Sequence, residues 1–81
     1  MGVRLTLYGR TYCHLCEDMA TALRGLQETL DFGFDVVDVD ADPALEAKYG
    51  ELVPVLTDLH GEEICHYFLD TAALEARLAV K

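Results

Sequence analysis

Two cysteines, Cys13 and Cys16, stand where two hydrophobic periodicities meet, and that junction limits the folds open to the chain. Before them Val3, Leu5 and Leu7 alternate with polar residues, the period of a half-buried strand. After them Leu15, Met19, Leu23, Leu26 and Leu30 recur at helical spacing. A strand–loop–helix reading puts Cys13 at or just before the first turn of a helix. The first helical N–H groups lack intrahelical partners, and the helix dipole favours negative charge there. The thiolate is the reactive form of cysteine, so this position makes Cys13 the more reactive sulfur. A free thiol with pKa near 8.5 is a few per cent ionised at neutral pH. Bringing that value to about 7 makes it roughly half ionised and takes ~2 kcal/mol of preferential thiolate stabilisation. Cys16 lies one turn on, on the same helix face, where it can close a disulfide with Cys13.

Length and charge narrow the classes. Eighty-one residues make one domain with a thin core. An apolar content of 52% argues for a packed fold over disorder. Three cysteines are too few, and odd in number, for a disulfide-stapled secreted scaffold. Met1-Gly2-Val3-Arg4-Leu5-Thr6 has no apolar leader core, and no stretch approaches the ~20 apolar residues of a membrane span. The expected compartment is the reducing cytoplasm, where a Cys-x-x-Cys is catalytic or metal-binding rather than structural. Fifteen acidic against six basic residues, net −9, exclude nucleic acid and anionic membranes as partners and predict a soluble monomer. That field also opposes a thiolate. Arg10, three residues before Cys13, is the nearby cation that offsets it locally.

Along the chain, Val3–Tyr8 reads as a strand and Gly9–Tyr12 as a loop. A helix runs from Cys13–Leu15 to Thr29–Leu30, with Glu17 and Asp18 in its first turn and Gly25 within it. Asp31-Phe32-Gly33 reads as a break and Phe34–Asp40 as a second strand, parallel to the first through a right-handed crossover. Asp38, Asp40 and Asp42 read as a solvated strand end rather than a cation site. Asp42 caps a short helix with Pro43 at its first position, and Gly50 ends it. Val53–Asp58 and Glu63–Phe68 form a hairpin about the turn Leu59-His60-Gly61-Glu62. Asp70 or Thr71 caps a last helix carrying Leu74 and Leu78, with Arg77 and Lys81 near its C-terminal end. The order is β-α-β-α-β-β-α, without repeat or linker.

A dithiol oxidoreductase needs a reactive thiol, a second thiol to resolve the mixed disulfide, and a surface that holds the substrate's extended chain. Cys13 and Cys16 supply the thiols. Val53-Pro54 offers the surface, because an X-Pro bond adopts cis at a cost of only ~0.5–1 kcal/mol, which turns the Val53 backbone groups outward. The alternatives are a binding module of the same fold without turnover, and a zinc or iron–sulfur protein. Zinc needs a second ligand pair. Cys65-His66 is the candidate, but neighbours on a strand face opposite ways. Cys65 reads instead as a small buried hydrophobe, so no metal site is assigned. His14, between the cysteines, either aids the thiolate when protonated or is an exposed polar residue. An interacting histidine there favours the reduced form and raises the potential.

Taken together, Tyr8 ending a strand, Tyr12-Cys13-His14-Leu15-Cys16 opening a helix, Val53-Pro54 some forty residues later and the closing hairpin and helix resemble the thioredoxin-like superfamily. Within it the chain resembles the glutaredoxin-like proteins, in particular small bacterial ones with a Tyr-Cys-x-Leu-Cys motif. The resemblance spans nearly the whole chain. It implies an α/β thioredoxin-like fold with a four-stranded mixed sheet and helices on both faces. It makes Cys13 the nucleophile, Cys16 the resolving thiol and Pro54 the cis-proline, with Arg10, Tyr12, His14 and Val53 beside the substrate. It places Arg10 where glutaredoxins often hold the glutathione carboxylate. It implies thiol–disulfide exchange with a disulfide-containing protein or a glutathione mixed disulfide, no bound prosthetic group, and glutathione as reductant or co-substrate. Two departures stand out. Glutaredoxins usually have Pro-Tyr or Pro-Phe between the cysteines, and here it is His14-Leu15. They usually carry Gly-Gly and then an acidic residue after the hairpin, and here the corresponding stretch is Cys65-His66-Tyr67.

Overall fold

The computed structural model describes residues 3–79. The elements are β1 (Val3–Gly9), α1 (His14–Leu26), β2 (Phe32–Asp38), a 3-10 turn (Val39–Ala41), α2 (Pro43–Tyr49), β3 (Val55–Thr57), β4 (Glu63–His66) and α3 (Thr71–Ala79). The expected order therefore holds, with the short 3-10 turn added. The four strands form one mixed sheet in the order β2-β1-β3-β4. β1 runs parallel to β2, and the β1–β3 and β3–β4 pairs are antiparallel.

Alternation along the strands divides the apolar side chains between two faces. Leu5 and Leu7 of β1, Leu56 of β3 and Cys65 of β4 face the larger core. There they meet Met19, Ala20 and Leu23 of α1 and Leu74 of α3. Val55, next to Leu56, turns to the other face and packs with Val39 and Tyr49. Tyr8 stacks on Tyr49 there, with ring centroids 4.4 Å apart. So α1 and α3 cover one face, and α2 with the 3-10 turn covers the other.

Several boundaries differ from the expected ones. α1 ends at Leu26, not near Leu30. Thr29 N–H and Leu30 N–H both return to the Leu26 carbonyl, and the Gln27 side chain donates to Phe32 O at 3.1 Å. The chain thus tightens straight into β2. β2 starts at Phe32, which is buried and pairs with Val3. The expected break at Gly33 is paired strand, opposite Arg4. A Cβ on Gly33 would meet the Arg4 guanidinium, which ion-pairs with Asp35 nearby. β2 stops at Asp38 because its carboxylate accepts Asp40 N–H at 2.9 Å and caps the 3-10 turn. β3 is confined to Val55–Thr57, and β4 stops before Tyr67, whose φ of 64° leaves the strand region. Asp42 caps α2 with Pro43 in the first turn, and Asp70 Oδ1 accepts Ala73 N–H at the start of α3. Lys81 lies outside the described residues.

The hairpin between β3 and β4 is locked by Asp58. Its carboxylate accepts the N–H groups of His60 and Glu62 and pairs with Arg77 of α3. Desolvation pushes its pKa up. The two N–H donors and Arg77 outweigh that and hold it below the ordinary carboxylate value. A depressed carboxylate stabilises the fold above its unfolded pKa of about 3.9, and the contribution is lost as pH falls through the folded value. Asp58→Asn is therefore expected to lower stability at neutral pH and to flatten its decline between about pH 5 and pH 2. Urea melts of both proteins across that range check it.

Candidate active site

The loop Arg10–Cys13 leaves the end of β1 and delivers Cys13 to the N-cap of α1. Cys13 has extended backbone angles, φ −108° and ψ 108°, and its Sγ accepts Cys16 N–H at 3.2 Å. That is the bond a serine or aspartate cap makes to the third helical residue. It places a backbone donor and the positive end of the helix dipole on this sulfur. Cys13 and Cys16 are joined as a disulfide, their Cα atoms 5.2 Å apart. The two sulfurs differ in access. Cys13 is half-buried, whereas Cys16 is 8% exposed. An incoming group therefore meets Cys13 first.

Gly9, assigned by its sequence to a loop, is the last residue of β1 and contributes to the site. A Cβ built there would lie 3.1 Å from Cys16 Sγ and 3.2 Å from Cys16 Cβ. The missing side chain is what lets α1 bring Cys16 against the end of β1. In the disulfide, Cys16 Sγ is tethered and cannot swing aside; in the dithiol it can. Gly9→Ala is thus expected to destabilise the oxidised form more than the reduced form. A difference of ~1.4 kcal/mol, within the usual cost of overpacking, corresponds to about 30 mV. Equilibration of wild type and variant in thiol–disulfide buffers should show the variant's potential higher by roughly that amount.

Arg10 points away from a simple solvated position. Its guanidinium lies 3.3 Å from Asp40 and 3.5 Å from Glu46, and its Nε and Nη2 are buried without a hydrogen bond of good geometry. The cation that the sequence offered to offset the negative field is shared with two carboxylates of the 3-10 turn and α2. Arg10 also lines a groove of about 310 Å³ that reaches Cys16 and includes Gly9, Arg24 and Val36. Tyr12 takes φ 60° and is 98% exposed. A left-handed conformation is uncommon for a bulky residue, and here it stands immediately before Cys13. His14 is the first residue of α1 and is exposed.

Just before β3, the Val53–Pro54 peptide bond is cis. Pro54 is buried, and the paired register of β3 begins only at Val55. Pro54 O accepts Tyr67 N–H at 2.9 Å. The Tyr67 hydroxyl donates to Glu51 O at 3.0 Å. Tyr67, which the sequence places in the returning strand of the hairpin, thereby pins the proline segment to the turn after β4. Its φ of 64° is a left-handed conformation uncommon for a bulky residue, and nothing in its local sequence signals it.

The chain and its fold are matched by known proteins. A model of the family described as Glutaredoxin-like domain (DUF836) matches residues 4–79. The chain belongs to this glutaredoxin-like family. Protein Ne2328 from Nitrosomonas europaea is 40% identical, with 98% of this chain and 94% of that one covered and a TM-score of 0.88. Protein XcR50 from X. campestris is 42% identical, with 91% and 93% covered and a TM-score of 0.70. Thioredoxin 1 from Thermosipho africanus, 19% identical over 93% of both chains with a TM-score of 0.62, shares the fold. No curated protein matches the chain.

In this glutaredoxin-like domain Cys65 is a free thiol in the larger core, on β4 opposite Leu56. Burial pushes its pKa up, and the carboxylates of Asp70 and Glu63 add to that, partly offset by the Asp70 backbone. His66, beside it, is exposed and pairs with Glu63 at 2.7 Å. Among the described residues, no three His, Cys, Asp or Glu side chains converge as a metal-binding group. No helix among them is long and apolar enough to cross a membrane.

Proposed function

We propose that this glutaredoxin-like domain is a thiol–disulfide oxidoreductase that works through Cys13 and Cys16. The observation that carries the reading is the asymmetry of the pair: an accessible sulfur at a helix N-cap, accepting a backbone N–H, with a buried partner one turn away. The Cys13 thiolate attacks one sulfur of a substrate disulfide. The substrate S–S bond breaks, a Cys13–substrate disulfide forms, and the departing thiolate takes a proton from water. The Cys16 thiolate then attacks Cys13 Sγ. The Cys13–Cys16 disulfide forms, and the substrate's second thiolate leaves and is protonated. Two electrons pass from the dithiol to the substrate. A small thiol such as glutathione returns them in two attacks, becoming its own disulfide.

The helix N-terminus and Cys16 N–H act on the charge of the Cys13 sulfur, and both are fixed before any substrate arrives. Arg10 contributes less than an unpaired arginine, because Asp40 and Glu46 share its charge. His14 adds a positive charge when protonated. Val53, ahead of the paired register of β3, supplies backbone groups for an extended substrate chain, with Pro54 holding their direction. Tyr12 flanks the incoming disulfide. The domain acts as a cytoplasmic monomer on disulfide-bearing proteins or glutathione mixed disulfides and holds no prosthetic group.

The test is an ultraviolet titration of the Cys13 thiolate in the reduced protein, with Cys16→Ser alongside, and equilibration of the wild type in glutathione buffers. The expected result is titration below the ordinary thiol value of about 8.5 and a defined two-electron potential. A Cys13 that titrates as a free thiol, in a protein that forms no Cys13–Cys16 disulfide, would overturn the reading and favour a binding module without turnover.

A further inference from the structure

The turn that follows β4 exposes two aromatic side chains in succession, Tyr67 and Phe68. A groove of about 230 Å³ runs there between Leu15, Asp18 and Met19 of α1 on one wall and Tyr67, Phe68 and Leu69 on the other. Leu15 stands between Cys13 and Cys16 in the chain, so this wall of the groove adjoins the pair, although neither cysteine lines it. Its outer wall is held in an unusual way. Tyr67 adopts φ 64°, and Phe68 N–H returns to His66 O at 2.7 Å. This closes a three-residue turn, a form bulky residues seldom centre with positive φ. The bonds from Tyr67 to Pro54 O and Glu51 O fix it. The outcome is a phenyl ring, Phe68, 70% exposed at the groove's rim.

The charges beside the groove have one sign. Asp18 is the charged member of the lining, no lysine or arginine lines it, and Glu17 and Asp70 are exposed on neighbouring turns. The chain as a whole carries −9. A glutathione disulfide brings carboxylates to this surface and little apolar area, so it is a poor match. A polypeptide with an apolar side chain next to its cysteine, flanked by a lysine or arginine, matches both features. We propose that the groove between Leu15 and Phe68 selects such a segment, its apolar side chain seated against Phe68 and its cation paired with Asp18. This rests on the exchange reading above and names its substrate class.

The experiment compares kcat/KM for two disulfide-linked peptides that carry a leucine beside the cysteine and differ only in a flanking lysine or glutamate. Hydroxyethyl disulfide serves as a probe with no side chain to seat. In wild type the lysine peptide should be preferred over the glutamate peptide by at least about threefold. Asp18→Lys should abolish or invert that preference. The comparison is a ratio, so any effect of the new charge on the Cys13 thiolate cancels. Phe68→Ser should lower the ratio of peptide to hydroxyethyl disulfide turnover by roughly tenfold. Both positions are exposed, so neither change threatens the fold. Turnover of all three disulfides with ratios that do not respond to either substitution would overturn the groove assignment and leave the exchange reading standing. A wild-type protein that reduces none of them would overturn both.

Discussion

Cys13→Ser is expected to abolish disulfide exchange, lowering turnover by roughly a thousandfold or more. A hydroxyl at the helix N-cap keeps the capping bond to Cys16 N–H, so the helix start survives and the loss is chemical rather than structural. Cys16→Ser should behave differently. Cys16 is 8% exposed, and its role in the cycle is to attack Cys13 from inside. Without it the first step still occurs, and a covalent adduct between Cys13 and the substrate accumulates. Intact-mass spectrometry of each variant, incubated with a disulfide peptide, separates the two: no adduct with Cys13→Ser, and one peptide per chain with Cys16→Ser. The same masses with the variants exchanged would reverse the assigned roles. No adduct in either would remove the mechanism.

The second large effect is on stability. Leu23 is fully buried where α1 meets the sheet, in the core shared with Leu5, Leu7, Leu56 and Leu74. Leu23→Ala removes three buried carbons and leaves a cavity, a change that costs ~2–5 kcal/mol. A domain of this length has roughly 4–12 kcal/mol in total. The loss is thus a large fraction of the whole, and at ~4–8 °C per kcal/mol it lowers Tm by roughly 8–40 °C. Leu59, exposed in the hairpin turn, is the control: Leu59→Ala should cost less than about 0.5 kcal/mol. Circular dichroism melts of the oxidised proteins check both. Equal shifts would mean that the core does not close around Leu23. Because Cys16 lies in α1 and Cys13 caps it, the Leu23→Ala variant should also lose exchange activity at temperatures where its helix has melted.

The parts of this fold legible in the sequence are those written in local patterns. Alternation in Val3–Tyr8 and helical spacing from Leu15 to Leu26 each reach a match within one element. The Asp42-Pro43 start of α2 and the Leu59–Glu62 turn are spelled locally, although the sequence pattern ends the strand at Asp58, whose carboxylate in fact holds that turn. What was not legible depends on contacts far apart in the chain. Gly33 carries the sign of a break, and only its pairing with Arg4 shows it to be strand. Gly9 looks like loop, and only the approach of Cys16 explains it. Arg10 reads as a free cation until the fold brings Asp40 and Glu46 to it. Tyr67 belongs to a strand by its aromatic character, while its bonds to Glu51 and Pro54 hold it in a turn.

The strand order leaves β2 and β4 as open rims of the sheet. Such rims invite a second copy to add its own strand, the first step toward fibrils. On β2 the exposed residues include Asp35 and Asp38 beside an uncovered Val36. β4 is four residues long and carries the exposed Glu63. Two copies approaching rim to rim therefore bring carboxylates together before any backbone bond can form. In a chain of net −9 that repulsion reaches about 10 Å at 0.1 M salt. The same acidity that opposes a thiolate at the reactive end thus keeps the sheet from becoming a template for its own copies.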